Sequence, residues 1–235
     1  MIINRLVLNE YGKVAAEYAR RILDSQDEMV SRIRMLERSK RTILLGSCAP
    51  GPLFELPSIL SSLYPDQTIS TETRDEETLL SGLKQIVYQL VILIHKPDAP
   101  DIRSHPCGSE HLYFSLPKDH RFAKEKSISF ADMDGEGFLM ASEVGVWDAA
   151  VRREMPNARF LLQGDANALR EVVRSSSMPS FMTDLTIRLY GIDDDRIAIP
   201  ISDATAQMPY WCCCKKDDEK RYLGWFQALE RRYGK

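Results

Sequence analysis

Thr42-Ile43-Leu44-Leu45-Gly46, followed by Ser47-Cys48-Ala49-Pro50-Gly51-Pro52, is a short apolar run stopped by glycine and then a turn. A run of that length without polar alternation is a strand buried on both faces. Behind the turn, Leu53, Leu56, Ile59, Leu60 and Leu63 recur at helical spacing until Tyr64-Pro65 ends the helix. Thr68-Ile69-Ser70-Thr71-Glu72-Thr73 is rich in strand formers, and Asp75 to Gln85 returns to helical spacing with Leu79, Leu80 and Leu83 inside. Tyr88-Gln89-Leu90-Val91-Ile92-Leu93-Ile94 is another buried strand. The order strand, helix, strand, helix, strand predicts a parallel sheet covered on both faces.

The pattern continues outward. His111 to Pro117 makes a fourth strand, with the residues ahead of it, Cys107 included, read as a loop. Further strands are expected at Gly137–Met140, Arg159–Leu162, Pro179–Met182, Arg196–Ile201 and Pro209–Lys215. Helices fall at Val144–Met155, Ala166–Arg174, Leu185–Tyr190 and Tyr222–Tyr233. Two α/β lobes in tandem leave a cleft between them, with ligand groups beyond the carboxyl ends of the strands. On the other side of the opening stretch, residues 10–38 read as one helix about 43 Å long. Its apolar positions Val14, Tyr18, Ile22, Met29, Ile33 and Leu36 form a narrow heptad-like seam among charged residues. A seam of this kind meets a partner helix, so these six residues are assigned to dimerisation.

The chain of 235 residues has 44% hydrophobic and 28% charged residues, an ordinary globular mixture that excludes a disordered tail or a disulfide miniprotein. No apolar run approaches membrane-spanning length, so no membrane partner is expected. The start, Met1-Ile2-Ile3-Asn4-Arg5, turns polar too early for a signal peptide, and a cytoplasmic location is expected. Residues 1–41 carry a charge of +3 and the remainder −6. An acidic body is a poor footprint for nucleic acid. Cys212-Cys213-Cys214 reads as a buried strand, because alternate residues face opposite ways and cannot converge on one metal. His95, His105, His111 and His120 lack tight ligand spacing, so no metal is assigned. Glycine-rich phosphate loops, the Gly-x-Ser-x-Gly elbow and His-Glu-x-x-His are all missing, so neither a cofactor nor an enzyme is expected.

Several stretches together resemble the LysR-type transcriptional regulators. Asn4-Arg5-Leu6-Val7-Leu8-Asn9-Glu10-Tyr11-Gly12-Lys13 is similar to the end of that family's wing and the start of its linker helix, and Tyr18-Ala19-Arg20-Arg21-Ile22-Leu23 to the helix itself. Gly46 with Leu56-Pro57, Tyr88-Gln89-Leu90-Val91-Ile92, Leu116-Pro117-Lys118-Asp119-His120-Arg121-Phe122-Ala123 and Phe130-Ala131-Asp132-Met133-Asp134-Gly135-Glu136-Gly137-Phe138 follow in the family's order. Gln89 and Arg121 stand where the family usually has Asp and Pro. The resemblance starts at the wing's last strand, so the N-terminal winged helix-turn-helix is expected to be missing and promoter DNA to be reached only through it.

The resemblance implies two Rossmann-like subdomains, similar to type II periplasmic binding proteins, joined by two crossovers and preceded by a long linker helix. Residues 1–41 would be wing end and linker, 42–117 with 203–235 the first subdomain, and 118–202 the second. A small-molecule effector would bind between them and bias a homodimer or homotetramer. A free-standing solute-binding protein of the same shape is the alternative. Candidate effector contacts in the first subdomain are Ser47, Cys48, Ala49 and Pro50 at the first turn, with Thr73 and Arg74 at the next strand end. In the second they are Ser142 and Glu143, Gln163 and Asp165, and Thr183 and Asp184. Asp165 and Asp184 also suit plain helix caps. Two acidic groups there fit a cationic or hydroxyl-rich ligand better than a dicarboxylate.

Overall fold

A computed structural model describes residues 8–234. Asn4 to Val7 of the wing-like stretch lie outside the described residues.

Helix α1 spans Glu10–Ser39 and is capped by Asn9, whose Oδ1 accepts the Gly12 N–H at 2.8 Å. It leaves the body almost bare, and all six seam residues are exposed, Ile22 at 67%. Only its end is anchored: Ser39 is buried, and the Arg221 guanidinium donates to its carbonyl at 2.6 Å.

The strands are β1 (Thr42–Ser47), β2 (Thr68–Thr73), β3 (Leu90–Leu93), β4 (Ile102–Pro117), β5 (Gly137–Ala141), β6 (Arg159–Gln163), β7 (Ser180–Thr183), β8 (Arg196–Pro200) and β9 (Gln207–Lys215). The remaining helices are α2 (Leu56–Leu63), α3 (Glu76–Lys84), α4 (Phe130–Met133), α5 (Val146–Glu154), α6 (Ala166–Ser175), α7 (Asp184–Tyr190) and α8 (Leu223–Tyr233). The strands form one sheet in the order β2-β1-β3-β9-β4-β7-β5-β6, with β8 on the free flank of β4.

The expected parallel pairing holds for β1 with β2 and β3, and for β5 with β6 and β7. The middle of the sheet corrects it: β9 runs antiparallel to β3 and β4, and β4 runs antiparallel to β7 and β8. The stretch read as a loop before His111 is also strand. β4 begins at Ile102 and pairs β9 as far as His111, with a bulge between Pro106 and Ser109. From Leu112 to Pro117 the same strand pairs β7 and β8. β4 is therefore shared by two half-sheets.

One buried core runs through both halves. Around β1, β3 and β9 the fully buried side chains include Leu45, Leu60, Leu79, Leu83 and Trp225. Cys212, Cys213 and Cys214 are all buried, because β9 is covered on both faces. In the other half, Phe114, Phe138, Phe160 and Phe181 stack on one another with centroids 4.9–6.5 Å apart. Such aromatic clusters add to plain area burial.

Candidate functional site

The turn after β1 is tightly made. Ser47 Oγ donates to the Ala49 carbonyl at 2.6 Å and accepts the Ala49 N–H at 3.3 Å, so its hydroxyl is engaged within the turn. The Cys48 N–H donates to Ile92 O at 3.0 Å. Cys48 is fully buried, and desolvation, reinforced by the Glu76 charge, pushes its thiol up to about 12. A thiol so placed stays protonated and unreactive at neutral pH. Ala49 is buried and Pro50 half-buried.

Facing this turn is the one that follows β5. Gly145 has φ +60 and ψ −132, and the next residue's N–H, from Val146, donates to Cys48 O at 2.9 Å. A Cβ on Gly145 would lie 2.1 Å from Cys48 O. The first-lobe and second-lobe turns are thus brought together, close enough that only glycine fits. Ser142 and Glu143 themselves are exposed.

Beside this contact lies a buried carboxylate. Glu110 of β4 accepts the Trp147 indole N–H at 3.0 Å and the Tyr210 hydroxyl at 2.5 Å, both on Oε2. Burial and the Glu110 charge together push the Tyr210 phenol far above its ordinary range. Around the corner, a cavity of about 340 Å³ is walled by Gly51, Glu55, Gly108 and Tyr210 of the first half and Asp184 and Arg188 of the second. A volume near 340 Å³ lies at the lower end for small-molecule sites. Glu55 faces Arg188 at 3.7 Å and Arg232 at 2.9 Å. Asp184 Oδ1 accepts the His111 N–H at 2.9 Å.

The other expected contacts point elsewhere. Arg74 is 54% exposed and pairs with Glu72 at 3.2 Å, while Thr73 is engaged through its carbonyl by the same guanidinium. Asp165 caps α6 by accepting the Ala168 N–H at 2.8 Å, and Gln163 accepts the Asp165 N–H at 3.2 Å. Thr183 caps α7 through Thr186. The four histidines are dispersed: His95 meets Glu76, His105 stacks on Phe226, His111 reaches Ile201 O, and His120 meets Glu136. Glu110, Trp147, Tyr210, Glu55 and Arg188 were not marked by the sequence. Glu110 sits just ahead of the strand expected at His111, and its partners are 37 and 100 residues away. No local spacing signals such contacts.

Two α/β halves that share a strand and enclose a cavity between them define a bilobal binding domain. The family model for the LysR substrate binding domain matches residues 44–232, and the chain belongs to that family. It is accordingly an effector-binding regulatory domain of the transcription-regulator class. Solved structures share the fold. The reduced OxyR regulatory domain from Pseudomonas aeruginosa superposes with a TM-score of 0.64 at 15% identity, over 81% of this chain and 98% of that one. A full-length OxyR variant from the same organism matches with a TM-score of 0.64 at 16% identity, over 97% of this chain and 78% of that one. The BenM effector binding domain with its effector benzoate gives 0.61 at 14% identity, over 82% and 91%. None of the curated proteins matches the sequence. Among the described residues no helix is long and apolar enough to cross a membrane.

Proposed function

We propose that this chain is the effector-sensing and oligomerisation region of a LysR-type regulator, acting in the cytoplasm without catalysis. Residues 42–117 with 203–235 form one subdomain and 118–202 the other. A small metabolite binds between them, in the cavity bordered by Gly51, Glu55, Asp184 and Arg188. The observation that supports this most directly is that cavity, whose walls come from both halves of the sheet. A ligand there touches both halves at once, so it has different affinities for their open and closed arrangements and shifts the balance between them.

Oligomerisation is assigned to α1. Val14, Tyr18, Ile22, Met29, Ile33 and Leu36 all lie exposed on one helix of 30 residues, a seam that a second copy would cover. Promoter DNA would be reached only through a winged-helix domain, not through this α/β body.

The test is a thermal-melt screen against central metabolites at millimolar concentration. A ligand at 100 times its Kd adds about 2.7 kcal/mol, which raises the Tm by several degrees in a chain of this size. The hit should be lost in Asp184→Asn. A hit whose shift survives both Asp184→Asn and Arg188→Ala overturns the assignment of the cavity. A strictly monomeric protein in sedimentation favours a free-standing solute-binding role instead.

A further inference from the structure

We infer that Glu110 is a resident ligand of the cleft: its carboxylate fills the acceptor place between the two halves from inside the chain and so excludes free carboxylates as effectors. The inference deepens the proposed function by naming the ligand class, and it rests on the cleft being the sensing site.

Four observations converge on it. Glu110 is only 3% exposed, and its two donors, Trp147 and Tyr210, are 4% and 2% exposed. The donors come from different halves: Trp147 lies in the first turn of α5, Tyr210 in β9. Gly51 lies flush against the carboxylate, since a Cβ there would sit 2.6 Å from each Glu110 oxygen. Among the described residues, the ion pairs formed by lysine, arginine and histidine all go to other carboxylates. A buried carboxylate is normally matched by a cation. Here the hydrogen bonds it accepts come from an indole N–H and a phenol O–H, uncharged donors that would serve a free carboxylate equally well.

A free acid entering the cleft meets this place already filled and its charge opposed. The adjoining cavity shares Gly51 and Tyr210 with the Glu110 contact and sets the carboxylates of Glu55 and Asp184 against the one guanidinium of Arg188, which Glu55 already faces at 3.7 Å. With Glu110 counted, carboxylates outnumber guanidiniums around this place, which disfavours a further anion. The effector this leaves is an uncharged polar or a cationic molecule, such as a polyol, an amide or an amine.

The probe is acetate, because Glu110→Ala removes a CH2–COO− unit of the same size. With sodium chloride matching ionic strength, acetate should leave the wild-type Tm unmoved. Glu110→Ala should melt at least about 4 °C lower, and acetate should restore it saturably, with formate weaker. The restoration should vanish when Trp147→Phe is added, which ties it to the indole donor. If Glu110→Ala does not fold alone, refolding in acetate is the assay, and recovery there has the same meaning. A saturable Tm rise of the wild type with acetate, or no recovery of Glu110→Ala by either acid, overturns the inference. Acetate rescue is independent of the metabolite screen. A metabolite shift that survives both Asp184→Asn and Arg188→Ala removes the cavity assignment only, and an anionic metabolite hit removes this inference only.

Discussion

Gly145→Ala should pry the two halves apart. Gly145 holds φ +60 and ψ −132, and the built Cβ falls 2.1 Å from Cys48 O and 3.0 Å from Ala49 Cα. Neither neighbour is a flexible side-chain end, so the backbone itself must shift. Forcing alanine into that conformation costs about 1–3 kcal/mol. Displacing the Val146 N–H from Cys48 O loses about 1 kcal/mol more. Together they make a loss of roughly 2–4 kcal/mol, or a Tm lowered by roughly 4–16 °C. Gly135→Ala is the internal control. Gly135 also has positive φ, at +97, but nothing lies within 4 Å of its built Cβ, so alanine there meets the backbone penalty without the clash. The assay is differential scanning calorimetry of the two variants beside the wild type, with tryptophan fluorescence reporting on Trp147. The Gly145 variant should melt several degrees below the Gly135 variant and show red-shifted emission as Trp147 leaves its buried place. Equal melting points and unshifted emission would refute the contact between the turns.

Arg196→Lys should destabilise the second half by about 2–4 kcal/mol, measured by denaturant unfolding. Arg196 is 4% exposed and its guanidinium donates to Ser115 Oγ and to the carbonyls of Ser115, Val173, Ser176 and Met178, a fork that lysine cannot reproduce; a loss under 1 kcal/mol would contradict that role. The buried thiols should weaken the fold in alkali. Burial pushes Cys213 up to about 11 and Cys48 and Cys214 up to about 12, against 9.0 when exposed. The unfolded chain therefore loses these protons first, and the stability they lend is complete below pH 9 and lost as pH rises towards 11–12. The Tm should fall over that window, less steeply in Cys48→Ala, and alkylation of Cys48 at pH 8 at the rate of a model thiol would count against it. Ile22→Asp with Ile33→Asp should turn an oligomer into a monomer in sedimentation velocity while leaving the melting of the α/β body unchanged; an unaltered sedimentation coefficient would show that association does not use α1.

The parts legible in the sequence were those with local periodicity. The α1 seam repeats at heptad-like spacing from Val14 to Leu36, and the helix begins at Glu10 as its spacing predicts. β1 and β3 are apolar runs bounded by glycine or polar residues, and they form as buried strands. The first half of β4 was illegible because its sequence, Ile102 to Glu110, contains Pro106, Gly108 and only one large aliphatic residue. It is a strand because β9 supplies its hydrogen-bond partners, and a bulge absorbs Pro106 to Ser109. The candidate site divides along the same line. The turns at Ser47–Pro50 and Ser142–Gly145 follow strands and could be placed, whereas Arg74, Gln163 and Asp165 follow strands equally well and bond locally on the surface. Periodicity locates strand ends but not which of them the curl of the sheet turns inward. Glu110, Trp147 and Tyr210 lie on three different elements, and only the tertiary fold unites them.

The position of Glu110 suggests how closure of the proposed cleft would be tied to α1. β4 is continuous across both halves, pairing β9 up to His111 and β7 and β8 from Leu112. Any opening that uses β4 as its hinge bends it near that handover, which is where Glu110 and the neighbouring bulge sit. The Trp147 bond to Glu110 and the handover of β4 are therefore next to each other in the chain, so loss of that bond would act where such a hinge would bend. α1 follows the first half, because Arg221 holds the Ser39 carbonyl at 2.6 Å and Gln67 Oε1 at 3.2 Å. Trp147 follows the second half through α5. If the halves open, α5 would move away from the body that carries α1, while the Arg221 bonds would keep the end of α1 with the first half. In an oligomer joined along α1, the first halves would be held as a fixed frame while the second halves swing. The signal would then be read from where α5, α6 and α7 meet a neighbouring copy, and a substitution on their exposed faces should alter the response to ligand without altering association through α1.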